Sequence, residues 1–383
     1  MSKGAAPQMN DPFLEDWHLR LAERVRAFGD KHLRAALQDE SDPAGHTREL
    51  ALKLAEANVL PAAVAPPWGV MDVRSLVAVR EALAYFSSLA DSAFAMQGLG
   101  SYALSLVGTD VQKKRWLPAV ARGEVLAAFA VTEPEAGSDL AAARTRARPD
   151  GLVWRLRGVK TLISNAGIAG LYTVLARSAD GDDPSGLSMF LVDAEAPHMV
   201  VSRLEAMAPH PLGEVRFEDT PAVLLGTEGK GYALTLATLD AFRPSVGAAA
   251  CGMAARAFDE ALRWVQARRQ FGHRLAEFQS VQMSLAEMHV DLEGARLLVR
   301  RAAWIKDGGA ERIPREGAMA KLAATEMAQR VVDRAVQLHG GQGVMRGATV
   351  ERLYREVRSL RIYEGTSEIQ KLLIAREILK ESR

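Results

Sequence analysis

The sequence predicts a mainly helical protein with a block of strands in its middle. Three changes of texture along the chain predict it. Apolar residues recur at three- and four-residue spacing up to about Glu124, alternate from about Val125 to Leu225, and resume helical spacing in longer runs from Gly231 onward. A chain of 383 residues is long enough for several cores. The expected domains are 1–124, all-helical; 125–229, an antiparallel barrel or sandwich; and 230–383, a helical bundle.

Residues up to about Asn10 are small and polar and are expected to fray. Helical spacing follows in Leu19, Leu21, Val25 and Phe28, then in Leu50, Leu54 and Ala57. Pro61, Pro66, Pro67 and Gly69 punctuate before Leu76, Val79, Leu83 and Phe86 resume it, and Pro118 and Gly123 are expected to break the next helix. In the middle block, Leu152, Trp154 and Leu156 are expected on one strand face. Leu171, Thr173 and Leu175 oppose Tyr172, Val174 and Ala176; Leu187, Met189 and Leu191, and Val215 and Phe217, repeat the alternation. Turn clusters at 149–151 and 180–186 separate these strands. No helices intervene, which argues against a doubly wound sheet. Beyond Gly231, one stripe runs from Val281 through Leu285, Met288, Leu292 and Ala295 to Leu298. Another runs from Met319 through Leu322, Met327, Val331 and Ala335 to Leu338. Glycines after Asp307 and at 340–343 stop the two helices. Antiparallel packing of such helices gives a bundle.

Composition removes several function classes. Forty-eight basic residues against 47 acidic ones leave a net charge of +1, so nothing global draws the chain to nucleic acid or an anionic membrane. The single cysteine, Cys251, excludes a disulfide framework and a Cys-rich metal site, and suits a reducing compartment. The first residues lack an apolar core of signal-peptide length. No apolar run approaches the ~20 residues of a membrane helix. The expectation is a soluble cytoplasmic protein.

Several motifs are weaker than they look. The stretch 98–103 fits GxGxxA, but its flanks are helical, so a helix-end turn is expected rather than a dinucleotide fingerprint. Gly226, Gly229 and Gly231 read as a strand-to-helix turn. His289 with Glu287 and Asp291 reads as a solvated helix face, and no metal site is expected. Arg352, Arg355, Arg358 and Arg361 are spaced for one face, to pair with acids or a partner subunit.

Four stretches carry more chemistry. They are Phe129-Ala-Val131-Thr132-Glu133-Pro-Glu-Ala-Gly137-Ser138-Asp139; Lys160-Thr-Leu-Ile-Ser164-Asn165; Arg268-Arg-Gln-Phe271-Gly272 followed by Gln279; and Gln337-Leu-His-Gly-Gly341-Gln-Gly343 with Arg361-Ile-Tyr363-Glu364-Gly365-Thr366-Ser367 downstream. Small hydroxyl residues beside glycines and strand ends can bond the polar rim of a flat ring, and equally can be plain turn chemistry. Glycines 340, 341 and 343 allow close backbone approach to an anion, or a plain helix–helix turn. Glu364 lies in a turn entering the last helix, which Thr366 or Ser367 can cap.

Together, in this order, the four stretches resemble the acyl-CoA dehydrogenase family over nearly the whole chain from about residue 12. The resemblance implies a helical N-terminal domain, a middle β-barrel and a C-terminal four-helix bundle. It implies FAD as cofactor, with Phe129, Val131, Thr132, Gly137, Ser138, Ser164 and Thr366 around the flavin and the Ser164 hydroxyl near N5. Arg268, Phe271, Gln279, Gln337 and Gly341 would hold the pyrophosphate or adenosine part of a neighbouring subunit's FAD, in a homotetramer or dimer. Glu364 aligns with the catalytic base that removes the α proton of an acyl-CoA. Ser138, Asp240, Arg243, Tyr363 and Gly365 would touch the substrate. A minority branch places the base at the position of Phe242, which cannot accept a proton. The expected reaction is α,β-dehydrogenation of an acyl-CoA thioester, with electron-transferring flavoprotein as acceptor. An acyl-CoA oxidase, a carrier-protein-linked dehydrogenase of the same fold, and a non-catalytic helical scaffold are the alternatives. Leu162 stands where the family usually has a Trp that packs at the flavin, which leaves the acceptor open.

Overall fold

The computed structural model describes residues 11–33 and 40–381; the expected frayed start lies outside them. Five helices come first: α1 (Asp16–His32), α2 (Pro43–Glu56), α3 (Val73–Phe86), α4 (Ser88–Val107) and α5 (Asp110–Ala121). Their starts follow from side-chain caps. The Asp42, Asp72, Ser87 and Thr109 side chains each accept an N-terminal backbone N–H. Pro118 does not break α5 as expected. It lies inside the helix, which ends one turn later at Gly123 (φ +69°). The GxGxxA stretch is likewise not a helix end but the middle of α4. A Cβ on Gly100 would stand 2.7 Å from the Ala127 Cβ, so the glycine lets α4 lie directly on the first strand.

Seven strands form the middle sheet: β1 (Ala127–Ala130), β2 (Arg146–Asp150), β3 (Val153–Ser164), β4 (Leu171–Arg177), β5 (Leu187–Asp193), β6 (Met199–Leu204) and β7 (Leu212–Leu225). The path is β1-β4-β2-β3-β7-β5, with β6 on β7 and a further β4–β5 pairing. Two expectations need correcting. The sheet is not all antiparallel, because β1 joins β4 in parallel. Nor does it close into a regular barrel. β2 meets β4 through one pair only, Arg146 with Arg177, and the Arg177 guanidinium fills that seam by donating to the carbonyls of Ala141, Ala143 and Asp183. Leu152 does not share a face with Trp154 and Leu156; it sits fully exposed in the turn before β3. β4 is buried on both faces, as its unbroken apolar run suggests.

The C-terminal part is helical. It comprises α6 (Gly231–Ala267), a small hairpin of β8 (Arg269–Gln270) and β9 (His273–Arg274), α7 (Gln279–Asp307), α8 (Pro314–His339), α9 (Thr349–Val357) and α10 (Ser367–Glu381). α6, α7 and α8 pack on one another and α10 packs on α8. The small residues 247–252 of α6 are buried and bring α3 close. Cys251 is among them, its thiol pushed up by burial. Three of the four arginines of the basic run pair with acids of their own chain: Arg352 with Glu356, Arg355 with Glu40 and Glu351, and Arg361 with Glu326. No described helix is long and apolar enough to cross a membrane. No group of three or more potential metal ligands occurs among the described residues.

Candidate active site

The first two stretches meet at the sheet. The Thr161 N–H donates to the Thr132 carbonyl (3.0 Å), and Lys160 Nζ donates to the Val131 carbonyl (3.1 Å). Lys160 is fully buried. Its partner is Glu133, 2.7 Å away, whose carboxylate also accepts the Arg144 and Thr145 N–H groups. That company holds the Glu133 carboxyl below its ordinary range despite burial. Phe129 is buried in the core, Thr132 is half-buried, and Gly137 and Ser138 are exposed.

Ser164 is aimed by a bulge. The β3–β7 register slips between Lys160 and Ile163, and Leu162 takes up the extra residue at φ +56°. Leu162 is thereby turned out, 59% exposed, while Ser164 returns to the ladder opposite Leu212. Its hydroxyl lies 2.7 Å from His210 Nε2.

The fourth stretch builds a second cluster. Thr366 caps α10: its Oγ1 accepts the Ile369 N–H at 3.4 Å and its carbonyl the Gln370 N–H at 3.0 Å. Glu364 (φ +54°) and Gly365 (φ +96°) turn the chain into that cap. The turn is anchored from several sides. Lys321 Nζ donates to the Gly365 carbonyl, Gln370 Nε2 donates to both the Glu364 and Gly365 carbonyls, and Ser367 and Arg361 both bond Glu326. A Cβ on Gly365 would stand 2.6 Å from Gln370 Nε2. Gly365→Ala is therefore expected to cost about 1–2 kcal/mol or more, from the left-handed backbone and the displaced anchor. Thermal melting of the variant measures it; an unchanged midpoint would contradict this account of the turn.

The Glu364 carboxyl has one oxygen, Oε2, that is buried and without a partner. Burial pushes its pKa up; the nearby charges of Arg80, Lys321 and Arg243 oppose the rise, and Asp91 adds to it. Arg80 is itself buried and held on two sides: its Nε and Nη2 form a fork to Asp91 (2.8 Å each), and Nη1 reaches Ser245 Oγ at 2.9 Å. Its guanidinium also stands beside Tyr363. Lys321 is pushed down to about 8, first by burial. Asp240 and Arg243 form an intrahelical pair at 3.0 Å, and Arg312 bonds the other Asp240 oxygen.

Two neighbouring residues of α4 tie the clusters together. Asp91 grips Arg80 on the Glu364 side, and Ser92 Oγ lies 3.3 Å from His210 Nδ1 on the Ser164 side. Arg80, Asp91, Lys321 and His210 escaped the sequence reading. Three of them carry no motif; His210 has a visible signal in the prolines on either side of it.

The third stretch lies elsewhere. Arg268 ends α6, with its guanidinium 6.0 Å from the Trp264 ring, and Trp264 stacks on His339 at 4.9 Å. This brings Arg268 to the end of the bundle that carries Gln337 and Gly341, both exposed. Phe271, in the hairpin turn, is 90% exposed at φ +53°. Gln279 begins α7. No hydrogen bond or ion pair joins these residues to Ser164 or Glu364 among the described residues. Two surface hollows of about 430 Å³ also lie away from Glu364 and Ser164, one lined by Val111, Trp116 and Val223, the other by Tyr85, Phe258 and His289.

Known proteins match along the chain. Family models for the N-terminal, middle and C-terminal domains of acyl-CoA dehydrogenase match residues 15–124, 128–220 and 229–379. The chain belongs to the acyl-CoA dehydrogenase family. Membership makes it an oxidoreductase acting on acyl-CoA, in a family whose cofactor is FAD. It is 34% identical to a 3-(aryl)acrylate reductase of Clostridium sporogenes, over 96% of this chain and 100% of that one. It is 40% identical to an acryloyl-CoA reductase (NADH) of Anaerotignum propionicum, over 71% of each. The structure of butyryl-CoA dehydrogenase from Megasphaera elsdenii superposes with a TM-score of 0.89 at 29% identity, over 96% of this chain and 99% of that one.

Proposed function

We propose that this acyl-CoA dehydrogenase oxidises an acyl-CoA thioester to its 2-enoyl form, with Glu364 as the base. The observation that carries the proposal is the Glu364 carboxyl: it opens a doubly left-handed turn, its Oε2 is buried without a partner, and its pKa is raised. An α proton beside a thioester needs a carboxylate that is desolvated and more basic than usual. The residues fit the family's cofactor. Thr132 and Ser164 offer half-buried hydroxyls, and Glu364 offers an orphaned carboxyl oxygen. FAD, when bound, supplies the acceptor that takes the β-hydrogen as hydride.

The chain's own groups do the rest. Val131, Thr132 and Ser164 would line the flavin, with the Lys160 ammonium fixing the Val131 carbonyl behind it. Glu364 takes the proton, and its backbone N–H would bond the thioester oxygen as the enolate forms. Asp240, Arg243 and Tyr363 would flank the CoA thioester. Exposed Arg268, Phe271, Gln279, Gln337 and Gly341 would reach a neighbouring subunit's FAD, in a cytoplasmic homotetramer or dimer. Leu162, turned outward, would shape the face where electron-transferring flavoprotein docks.

Two relatives named as reductases favour a second reading, in which the same site runs in reverse and protonated Glu364 returns a proton to the α carbon. Anaerobic titration of the yellow protein with saturated acyl-CoAs, and of its reduced form with enoyl-CoAs, separates the directions. No bleaching by any saturated acyl-CoA, together with no reoxidation of the reduced form by any enoyl-CoA, would sink the proposal. Because the base must be ionised, flavin reduction is expected to speed up as pH rises through a pKa above the ordinary glutamate value. A rate flat from pH 5 to 9 would contradict the role of Glu364.

A further inference from the structure

His210 has a place in the site that no motif announces. The β3–β7 ladder closes with Ser164 opposite Leu212, and the Asn165 N–H then donates to the Pro211 carbonyl at 2.8 Å. His210 is the next residue back. Pro209 and Pro211 have fixed φ, and a residue before proline is held near extended backbone, which restricts the segment that carries the ring. There, Nε2 lies 2.7 Å from Ser164 Oγ and Nδ1 lies 3.3 Å from Ser92 Oγ. Burial pushes the imidazole down to about 4, so near neutral pH it carries one N–H and one lone pair.

The two tautomers have different consequences. If Ser164 donates to Nε2, its oxygen offers the site lone pairs only. If Nε2–H donates to Ser164 Oγ, the serine proton is free to point into the site, and Nδ1 can accept the Ser92 hydroxyl. An oxidised flavin N5 is an acceptor, so only the second arrangement serves it. We infer that His210 is a positioning residue that donates from Nε2 to Ser164 and turns the serine hydroxyl toward the flavin, with Ser92 on α4 donating to Nδ1. This rests on the reading above that Ser164 faces FAD.

The test uses the intact flavin-loaded enzyme and reads the ratio of reduced to oxidised flavin at a fixed potential, with the visible spectrum alongside. His210→Leu is expected to retain flavin and shift that ratio roughly three- to tenfold, the worth of one hydrogen bond. Ser164→Ala should shift it in the same direction, and the double variant no further than Ser164→Ala alone. Additive shifts, or a His210→Leu enzyme matching wild type in ratio and spectrum, would overturn the inference. Should His210→Leu not fold, Ser92→Ala decides: a smaller shift in the same direction supports it and wild-type behaviour refutes it. Wild-type protein that neither carries nor takes up FAD would instead overturn the flavin reading, and this inference with it.

Discussion

Glu364→Gln is expected to yield a folded, yellow protein whose flavin is reduced by acyl-CoA about 10²–10⁴-fold more slowly, the usual worth of a general base. The amide keeps the shape of the side chain and removes its ability to hold a proton. The turn does not depend on the carboxylate, because its anchors from Lys321 and Gln370 end on backbone carbonyls. Stability gives an independent check. The native carboxyl has a raised pKa, so between the ordinary glutamate value and that raised value the native state binds more protons than the unfolded chain. Native stability therefore falls as pH rises through this window, and the glutamine variant escapes that loss. The variant should unfold no more easily than wild type at pH 8. Stopped-flow reduction and denaturant unfolding measure the two effects. Near-normal reduction by the best substrate would dismiss the base assignment; a large loss of stability would show that the carboxylate holds the turn.

The largest expected effect on folding comes from Glu133→Ala. It removes the only carboxylate that, among the described residues, faces the buried Lys160 ammonium, and leaves the Arg144 and Thr145 N–H groups without their acceptor. Breaking a buried pair from one side typically costs about 3–5 kcal/mol. Lys160→Met should cost less, because it removes the charge along with the bond, and Glu133 keeps its two backbone donors. Flavin content should fall in both, since the Val131 carbonyl loses its anchor or its anchor becomes mobile. Urea unfolding with flavin release monitored in parallel tests the ordering. If Glu133→Ala were as stable as wild type, the ion pair would be surplus to the sheet.

What could be read in the sequence was local. The Thr366 cap, the Glu364–Gly365 turn and the Asp240–Arg243 pair lie within a few residues of their partners, so spacing reveals them. Arg80 and Lys321 reach Glu364 only because α3 and α8 pack on α6, and no local pattern encodes that meeting. Leu162 shows a different limit. It was legible as an unusual residue, but its outward turn comes from a register slip against β7, on a strand about fifty residues later. The barrel expectation failed for a related reason. Alternation reports which residues face inward, whereas closure depends on how many pairs β2 and β4 make, and they make one. Pro209-His210-Pro211 carries no functional signal by itself, because a lone histidine gains meaning only beside the hydroxyl it meets.

The adjacent Asp91 and Ser92 bear on how this enzyme can be recombined. Exchanging the N-terminal helices with those of a relative would replace the Arg80–Asp91 pair as a unit and cut Ser92 from His210 in one stroke. A compatible donor must bring an acid followed by a hydroxyl residue at these positions, with a cation at the position of Arg80. The recipient must keep His210. Grafts that respect only domain borders would assemble yet leave the Glu364 cluster and the Ser164 cluster independently adjusted.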